Sequence, residues 1–208
     1  LYNQDCLEAM KKMDDNSYDL AVVDPPYGIK QGQNHKGICF AGQSYIHKEK
    51  KWDNEIPSKE YFDQLFRVSK NQVIWGGNYF IDHLFNTRCM LVWDKMNGTN
   101  RISDCELAWT SFNTSVRRFQ WHHFSGTNDD EKYNRIHPTQ KPVALYAWIL
   151  NNYAKEGDKI LDTYLGSGSI AIACHNLGFD LDGYELDVDY YEAASKRLKE
   201  HQRQLKLF

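Results

Sequence analysis

The segment from Lys159 to Glu185 constrains the fold of this chain more than any other. It reads as a short apolar run (KILD), a glycine-rich turn (TYLGSGS), a helical pattern (IAIACHNLG) and a second run (DLDGYE) that ends in an acid. Glycines let the backbone bend sharply and approach a ligand, and the following helix presents free N–H groups. The order predicts a parallel β–α–β unit with a nucleotide-like cofactor at the carboxyl ends of the strands.

The acid at the end of this unit indicates the chemical type of that cofactor. Glu185 stands seventeen positions after Gly168, and in dinucleotide folds an acid about twenty residues beyond the turn binds ribose hydroxyls. The NAD pattern is only partly met, because Ala171 stands where its third glycine is expected. The sequence therefore indicates an adenosine-type cofactor, and an NAD-dependent oxidoreductase is an alternative.

Apolar runs and helical patterns alternate along the rest of the chain, which predicts an α/β sheet. The 208 residues suit one domain. The predicted strands are Tyr18–Val23, Gln72–Trp75, Cys89–Trp93, Glu106–Thr110, Lys159–Leu161 and Asp180–Glu185. The predicted helices are Lys59–Val68, Val143–Tyr153 with Thr139 as a cap, Ile170–Leu177 and Tyr190–Leu205. Two long segments, Gly28–Asp53 and Asn113–Arg135, are predicted to be functional loops.

Charge and cysteine usage limit the classes of partner and compartment. The net charge is −3, so a nucleic-acid partner requires a local basic patch. Lys30–Lys51 supplies one, with five Lys and two His against a single acid, and Arg117–Lys141 supplies a weaker one. Five scattered cysteines without a CxxC pair favour a reducing cytoplasm over a disulfide framework or a zinc ribbon. We recognise neither a secretory leader nor an apolar run long enough to span a membrane.

A second motif, Asp24-Pro25-Pro26-Tyr27, ends the first predicted strand. The prolines hold the backbone and lack N–H groups, so the Asp24 carboxylate and the Pro25 carbonyl can both accept hydrogen bonds from one exocyclic amino group. Tyr27 can stack on the flat ring that carries this group. A third motif, His137–Pro142, places polar groups between two prolines before a helix.

Together these motifs resemble the amino-methylating DNA methyltransferases of the permuted β class, adenine-N6 type. Asp24–Tyr27 looks like the catalytic motif, and Asp162–Ser169 is similar to the cofactor motif D-P-F-x-G-S-G-T, with Thr, Tyr and Ser as mild departures. His137–Pro142 resembles the segment that precedes the cofactor motif. Tyr2–Leu7 and Ile74–Asn78 resemble two further family segments.

The resemblance implies a Rossmann-like, S-adenosylmethionine-dependent fold, with a mostly parallel sheet, helices on both faces and a permuted motif order. Residues 1–95 would form the catalytic half, about 96–135 a short target-recognition segment, and 136–208 the cofactor-binding half.

The resemblance also assigns roles to individual residues. The catalytic residues would be Asp24, Pro25, Pro26 and Tyr27. Cofactor contacts would come from Asp5, Cys6, Asp24, His137, Thr139, Lys141, Asp162, Leu165, Gly166, Ser167, Gly168, Ser169 and Glu185. Contacts to DNA would come from Lys30, Lys36, Lys48, Arg117, Arg118, His122 and His123. Asp187 has two interpretations, a cofactor contact or the cap of the last helix.

The implied reaction is methylation of N6 of an adenine that is flipped out of double-stranded DNA. S-adenosylmethionine would be the cofactor, and the interpretation includes no metal, because the His122–His123 pair lacks further ligands at suitable spacing. The implied enzyme would be cytoplasmic and prokaryotic or phage-encoded. A second copy of the chain, in a homodimer, would supply the part of DNA recognition that the short segment lacks.

Other functions remain open from the sequence. Asp in the first motif position favours adenine, whereas Ser favours cytosine N4, which is the first alternative. RNA or protein glutamine methylation is a second, although those relatives usually begin the motif with Asn. The absence of a Pro-Cys dipeptide argues against methylation of the cytosine ring carbon. A DNA-binding module with a decayed cofactor site is the non-enzymatic alternative.

Overall fold

The computed structural model describes residues 1–30, 36–38, 44–46, 53–97, 103–122, 136–137 and 139–204. Its strands are β1 (Tyr18–Val23), β2 (Lys36–Ile38), β3 (Ser44–Ile46), β4 (Ser69–Trp75), β5 (Met90–Asp94), β6 (Cys105–Thr110), β7 (Arg117–Gln120), β8 (Lys159–Asp162) and β9 (Asp180–Gly183). Its α-helices are α1 (Cys6–Met10), α2 (Lys59–Val68), α3 (Val143–Tyr153), α4 (Ser169–Leu177) and α5 (Val188–Arg203). Two short 3₁₀ turns cover Gly77–Tyr79 and Ile81–His83.

Seven strands form one sheet in the order β7-β5-β6-β4-β1-β8-β9. All neighbours are parallel except β6, which runs antiparallel to both β4 and β5. The carboxyl ends of six strands therefore meet the beginning of β6 at one edge of the sheet. We call this the strand-tip edge, and it carries the residues of interest below.

Helices cover both faces of the sheet, as predicted. Side chains of β1 alternate between two cores: Leu20 and Val22 pack with residues of α3, α4 and α5, whereas Ala21 and Val23 pack with residues of α1 and α2. A strand buried on both faces reads as a continuous apolar run. This explains why the sequence YDLAVV identified β1, which lies near the middle of the sheet.

Most predicted elements are confirmed, with small differences at their ends. Helices α2 and α3 have the predicted bounds, but Pro142 is the N-cap of α3 and makes no side-chain cap bond. The prediction that Thr139 caps α3 is therefore wrong, because its hydroxyl lies 3.0 Å from His137 Nδ1 instead. The last helix begins at Val188, and Asp187 caps it by accepting from the Tyr190 N–H.

The structure has one α-helix and three strands where the sequence predicted none: α1, β2, β3 and β7. The five-residue helix α1 begins after Asp5, whose carboxylate accepts from the N–H groups of the first turn. Strand β7 lies inside the segment predicted as a loop after Asn113, and it forms the exposed outer edge of the sheet. Four residues with two arginines carry too little periodicity to identify a strand. In the described ranges, every helix is too short or too polar to cross a bilayer.

Candidate active site

Asp24 lies at the strand-tip edge, one residue beyond β1, and both of its carboxylate oxygens have partners. Tyr27 Oη donates to Oδ1 at 2.6 Å, and Lys141 Nζ donates to Oδ2 at 2.5 Å. Lys141 comes from the predicted segment before α3, 117 positions along the chain from Asp24. The structure thus brings two separately predicted motifs into direct contact.

The backbone after Asp24 is held by a residue that the sequence analysis missed. Asp53 is buried, and its Oδ1 accepts from the N–H groups of Tyr27 at 2.7 Å and Gly28 at 2.9 Å. The two bonds fix the turn that follows the prolines. The sequence gives little indication of this role, because Asp53 stands at the end of a long basic segment without a recognisable pattern.

The ring of Tyr27 is enclosed by the neighbouring strand end. Gly76 has φ +71°, and a Cβ there would lie 2.2 Å from the Tyr27 ring, so that only glycine fits. Tyr79 stacks on Tyr27 with ring centroids 4.8 Å apart, and 41% of its surface is exposed. The segment Ile74–Asn78, predicted only by resemblance, therefore shapes the surroundings of the predicted catalytic motif.

Lys141 belongs to a row of alternating charges, in which the two lysines are buried and the two carboxylates are partly buried. Its Nζ lies 3.1 Å from Glu106 Oε2, while Glu106 Oε1 lies 2.7 Å from Lys95 Nζ. Lys95 follows β5, and Glu106 is the second residue of β6, whose beginning faces the same edge. We call Asp24, Lys141, Glu106 and Lys95 the charge row.

Burial and mutual attraction act against each other along this row. Burial would raise the pKa of Glu106, but the ammonium groups of Lys141 and Lys95 outweigh it and hold that pKa at about 2. Burial lowers the pKa of Lys141, yet the carboxylates of Asp24 and Glu106 raise it above its ordinary value overall. Burial raises the pKa of Asp24 despite the opposing charge of Lys141.

The glycine turn forms a second part of the strand-tip edge. Gly166 and Gly168 have φ of +51° and +72°, a backbone region that side chains disfavour. Glu185 Oε2 accepts from the Gly166 N–H at 2.8 Å, and its Oε1 accepts from the Asp187 N–H at 2.9 Å. Burial raises the pKa of Glu185, while these two backbone groups lower it.

The segment before α3 links the two parts. The His137 ring packs edge-on against Tyr190, with centroids 4.6 Å apart, and it lies close to Gly166. Four residues later, Lys141 reaches Asp24. Asp162, at the end of β8, is buried between the two parts, where burial and the charges of Asp24 and Glu185 raise its pKa to about 8 against the bond from the Tyr164 N–H.

Several predicted cofactor residues instead have structural partners in the described chain. Ser169 Oγ accepts from Arg197 of α5 at 2.9 Å, and Ser167 O accepts from the same guanidinium at 3.0 Å. Leu165 is buried in the core beside α4. These contacts stabilise the turn, and the predicted cofactor contacts of Ser167, Ser169 and Leu165 stay predictions.

Asp5 and Cys6 lie at the start of α1. Asp5 Oδ1 accepts from the Leu7 and Glu8 N–H groups at 2.8 and 3.1 Å, so it caps this helix. Cys6 is buried, and burial raises the pKa of its thiol to about 12. Nearby, Tyr2 and Tyr184 form a parallel bridge, which joins the beginning of the chain to the outer side of β9.

The residues predicted to contact DNA are only partly described. Lys30, Arg117, Arg118 and His122 are exposed, and Arg118 lies 3.7 Å from Asp94. Only the backbone of Lys36, in β2, is described, and Lys48 and His123 lie outside the described residues. Among the side chains that the structure covers, no three potential ligands gather as a metal site.

Comparison with known sequences identifies relatives over most of the chain. The family model described as DNA methylase, for N6 and N4 methyltransferases, matches residues 74–196. The type II methyltransferase M.HpaI of Haemophilus parainfluenzae is 23% identical and aligns with 92% of this chain and 71% of its own length. The type II methyltransferase M2.DpnII of Streptococcus pneumoniae is 26% identical, covering 96% and 89%.

Solved structures show the same architecture. M1.HpyAVI in complex with SAM has a TM-score of 0.63 and 21% identity, covering 95% of this chain and 97% of its own. The cytosine-N4-specific PvuII DNA methyltransferase has a TM-score of 0.64 and 14% identity, covering 100% and 86%. These similarities confirm the predicted Rossmann-like fold class.

Proposed function

Since the chain belongs to the DNA methylase family of N6 and N4 methyltransferases, we propose that it methylates N6 of a flipped-out adenine in double-stranded DNA, with S-adenosylmethionine as the methyl donor. The observation that carries this proposal is the geometry of Asp24. Its carboxylate is oriented by Tyr27 and Lys141 at the strand-tip edge. The segment that supplies Lys141 continues to His137 beside the glycine turn.

Asp24 would act as an acceptor for the target amino group. An aromatic amine is a weak nucleophile, because its lone pair is delocalised into the ring. Each Asp24 oxygen accepts one described side-chain bond, and a carboxylate oxygen can accept two. A hydrogen bond from the amine to Asp24 would draw its hydrogen out of the ring plane and localise the lone pair. Preorganisation of this kind is a large contribution to catalysis.

The glycine turn and Glu185 fit the adenosine part of S-adenosylmethionine. Gly166 brings bare backbone next to the Glu185 carboxylate, each of whose oxygens retains a lone pair for a ribose hydroxyl. When bound, the cofactor supplies an electrophilic methyl group, so that transfer forms a C–N bond at N6, breaks the sulfonium C–S bond and releases one N6 proton. The ionised Asp24 is the group positioned to receive that proton.

Adenine is preferred to cytosine because of the first residue of the motif. In the enzymes that the motif resembles, Asp at this position favours adenine, whereas Ser favours cytosine N4. Tyr79, which is exposed and stacks on Tyr27, would supply aromatic surface for the flipped base, which loses its stacking in the duplex. Methylation of cytosine N4 by the same residues is the second candidate, and the PvuII structure is of that type.

The direct experiment identifies the methylated base. Plasmid DNA that lacks methylation is incubated with the protein and S-adenosylmethionine, digested to nucleosides and analysed by mass spectrometry. N6-methyl-2′-deoxyadenosine is the expected product. Detection of N4-methyl-2′-deoxycytidine instead would change the assigned target base from adenine to cytosine. The absence of any methylated nucleoside with several DNAs would contradict the proposal.

A matched pair of variants tests the role of Asp24. Asp24→Ala should reduce methyl transfer by about 10²–10³-fold while cofactor binding is retained. Asp19→Ala is the control on the same strand, since Asp19 pairs with Lys70 at the surface. Equal activity of the two variants would remove Asp24 from its proposed role.

A further inference from the structure

Oxygen atoms of three residues surround the ammonium group of Lys141. An ammonium group has three N–H donors, and three oxygens lie within reach of Lys141 Nζ: Asp24 Oδ2 at 2.5 Å, Glu106 Oε2 at 3.1 Å and Tyr27 Oη at 3.3 Å. Only 2% of the Lys141 side chain is exposed. The ammonium therefore cannot exchange Glu106 for water, and its position depends on both carboxylates.

Glu106 competes with Asp24 for this one cation. In the described part of the chain, its Oε2 receives no well-directed hydrogen bond, so its hold on Lys141 is electrostatic. The strength of that hold depends on Lys95, which lies 2.7 Å from the other oxygen and is itself buried. When the ammonium group of Lys95 neutralises the Glu106 carboxylate, Lys141 is attracted mainly by the carboxylate of Asp24.

We propose that Glu106, anchored by Lys95, is a positioning residue that sets how strongly Lys141 holds Asp24. The inference rests on the proposed function, since Asp24 must be a charged and oriented acceptor for an amino group. A buried carboxylate without a nearby cation takes up a proton, and one bound too tightly by a cation is a weaker acceptor. The charge row balances these two effects, because its two carboxylates and two ammonium groups sum to zero.

The proposal predicts opposite effects for two substitutions. Glu106→Gln removes a negative charge near Asp24 and leaves Lys95, so Asp24 should titrate at a lower pH. Lys95→Met leaves Glu106 to compete for Lys141, so Asp24 should titrate at a higher pH. Each shift is expected to be about one pH unit. The double variant restores neutrality and should titrate close to the original protein.

The primary measurement does not require activity. The protein is labelled with ¹³C at the Asp side-chain carboxyl, the Asp24 signal is assigned by its loss in Asp24→Asn, and its chemical shift is followed with pH. The other ionisable groups facing Asp24 are Tyr27, Tyr146 and Asp162, which are unchanged in all variants. Lys70→Met, at a surface ion pair, is the control.

The acid limb of the pH–rate profile provides a second readout. Because the active form has an ionised Asp24, the limb should move to lower pH in Glu106→Gln and to higher pH in Lys95→Met. Shifts in the same direction, or none beyond the Lys70→Met control, would overturn the inference. If no methylated nucleoside forms with the original protein, the proposed function fails, and the NMR titration still decides this inference. Should Lys95→Met not fold, the inference requires that Asp24 titrate at a lower pH in Glu106→Gln and close to the original pH in the double variant.

Discussion

Asp24 and Glu185 are both carboxylates at the strand-tip edge, yet they are held in different ways. Glu185 is fixed by backbone N–H groups of the glycine turn and of its own loop, within 19 positions along the chain. Asp24 is fixed by side chains, including Lys141 from 117 positions away. A carboxylate held by backbone depends on the local fold, whereas one held by side chains depends on particular distant residues. The second kind is easier to alter by a single substitution.

The largest expected effect comes from removing Lys141, one of the two side chains that hold the Asp24 carboxylate. Lys141→Met leaves Asp24 as a buried charge without its cation, which should cost about 3–5 kcal/mol of unfolding free energy. Denaturant unfolding measures this cost. Lys70→Met, which breaks the exposed pair with Asp19, should cost less than about 1 kcal/mol.

The same variant also separates two roles of Lys141. If the role of Lys141 is to orient the Asp24 carboxylate, the substitution should strongly reduce methyl transfer and change the Kd of S-adenosylmethionine little. A large rise in that Kd with methyl transfer otherwise preserved would favour the predicted cofactor contact instead. Equal stability of Lys141→Met and Lys70→Met would contradict the distinction between buried and surface pairs.

A smaller effect is expected at the glycine turn, where backbone N–H groups hold the Glu185 carboxylate. Gly166→Ala forces a side chain onto φ +51° and should cost about 1–3 kcal/mol. It should also raise the Kd of S-adenosylmethionine at least about tenfold, since the Gly166 N–H would move relative to Glu185. Gly157→Ala has a comparable backbone, at φ +85° in an open turn, and should lose stability but keep its affinity. Isothermal titration of both variants tests the difference.

The smallest effect concerns the two helix caps, Asp5 and Asp187, which lie near residues predicted to bind the cofactor. Asp187→Ala and Asp5→Ala each remove a side-chain acceptor from a first turn and should cost about 1 kcal/mol in thermal unfolding. Only Asp5→Ala should weaken S-adenosylmethionine binding, if the predicted contact is real. Unchanged affinity in Asp5→Ala would restrict Asp5 to its role as a cap.

This contrast also explains how much the sequence could predict. The glycine turn, Glu185 and the end of β1 are local patterns, and the structure has them close to the predicted positions. The partnership of Asp24 with Lys141 was not predicted, although both residues were named, because nothing local relates two segments 117 positions apart. Thr139 shows the opposite error, since a suitable residue type stood near a helix start but bonded elsewhere.

Glu106 shows why the rest of the site was missed. It begins a predicted strand, and an acid at the end of an apolar run ordinarily faces solvent. Its importance follows from the direction of β6, which alone among the seven strands brings its first residues to the strand-tip edge. The sequence predicted a mostly parallel sheet but not that β6 is the reversed strand, so the charge row could not be predicted either.

The antiparallel placement of β6 also affects how this protein can diversify. The connection from β5 to β6 leaves and re-enters the sheet at the same edge, with the Lys95 N–H donating to Asp104 O at 2.9 Å across its base. Lys95 and Glu106 pair at that base. Residues inserted between Lys95 and Asp104 would lengthen this connection without reordering any strand. The connection can therefore change in length and sequence while the charge row at its base is kept.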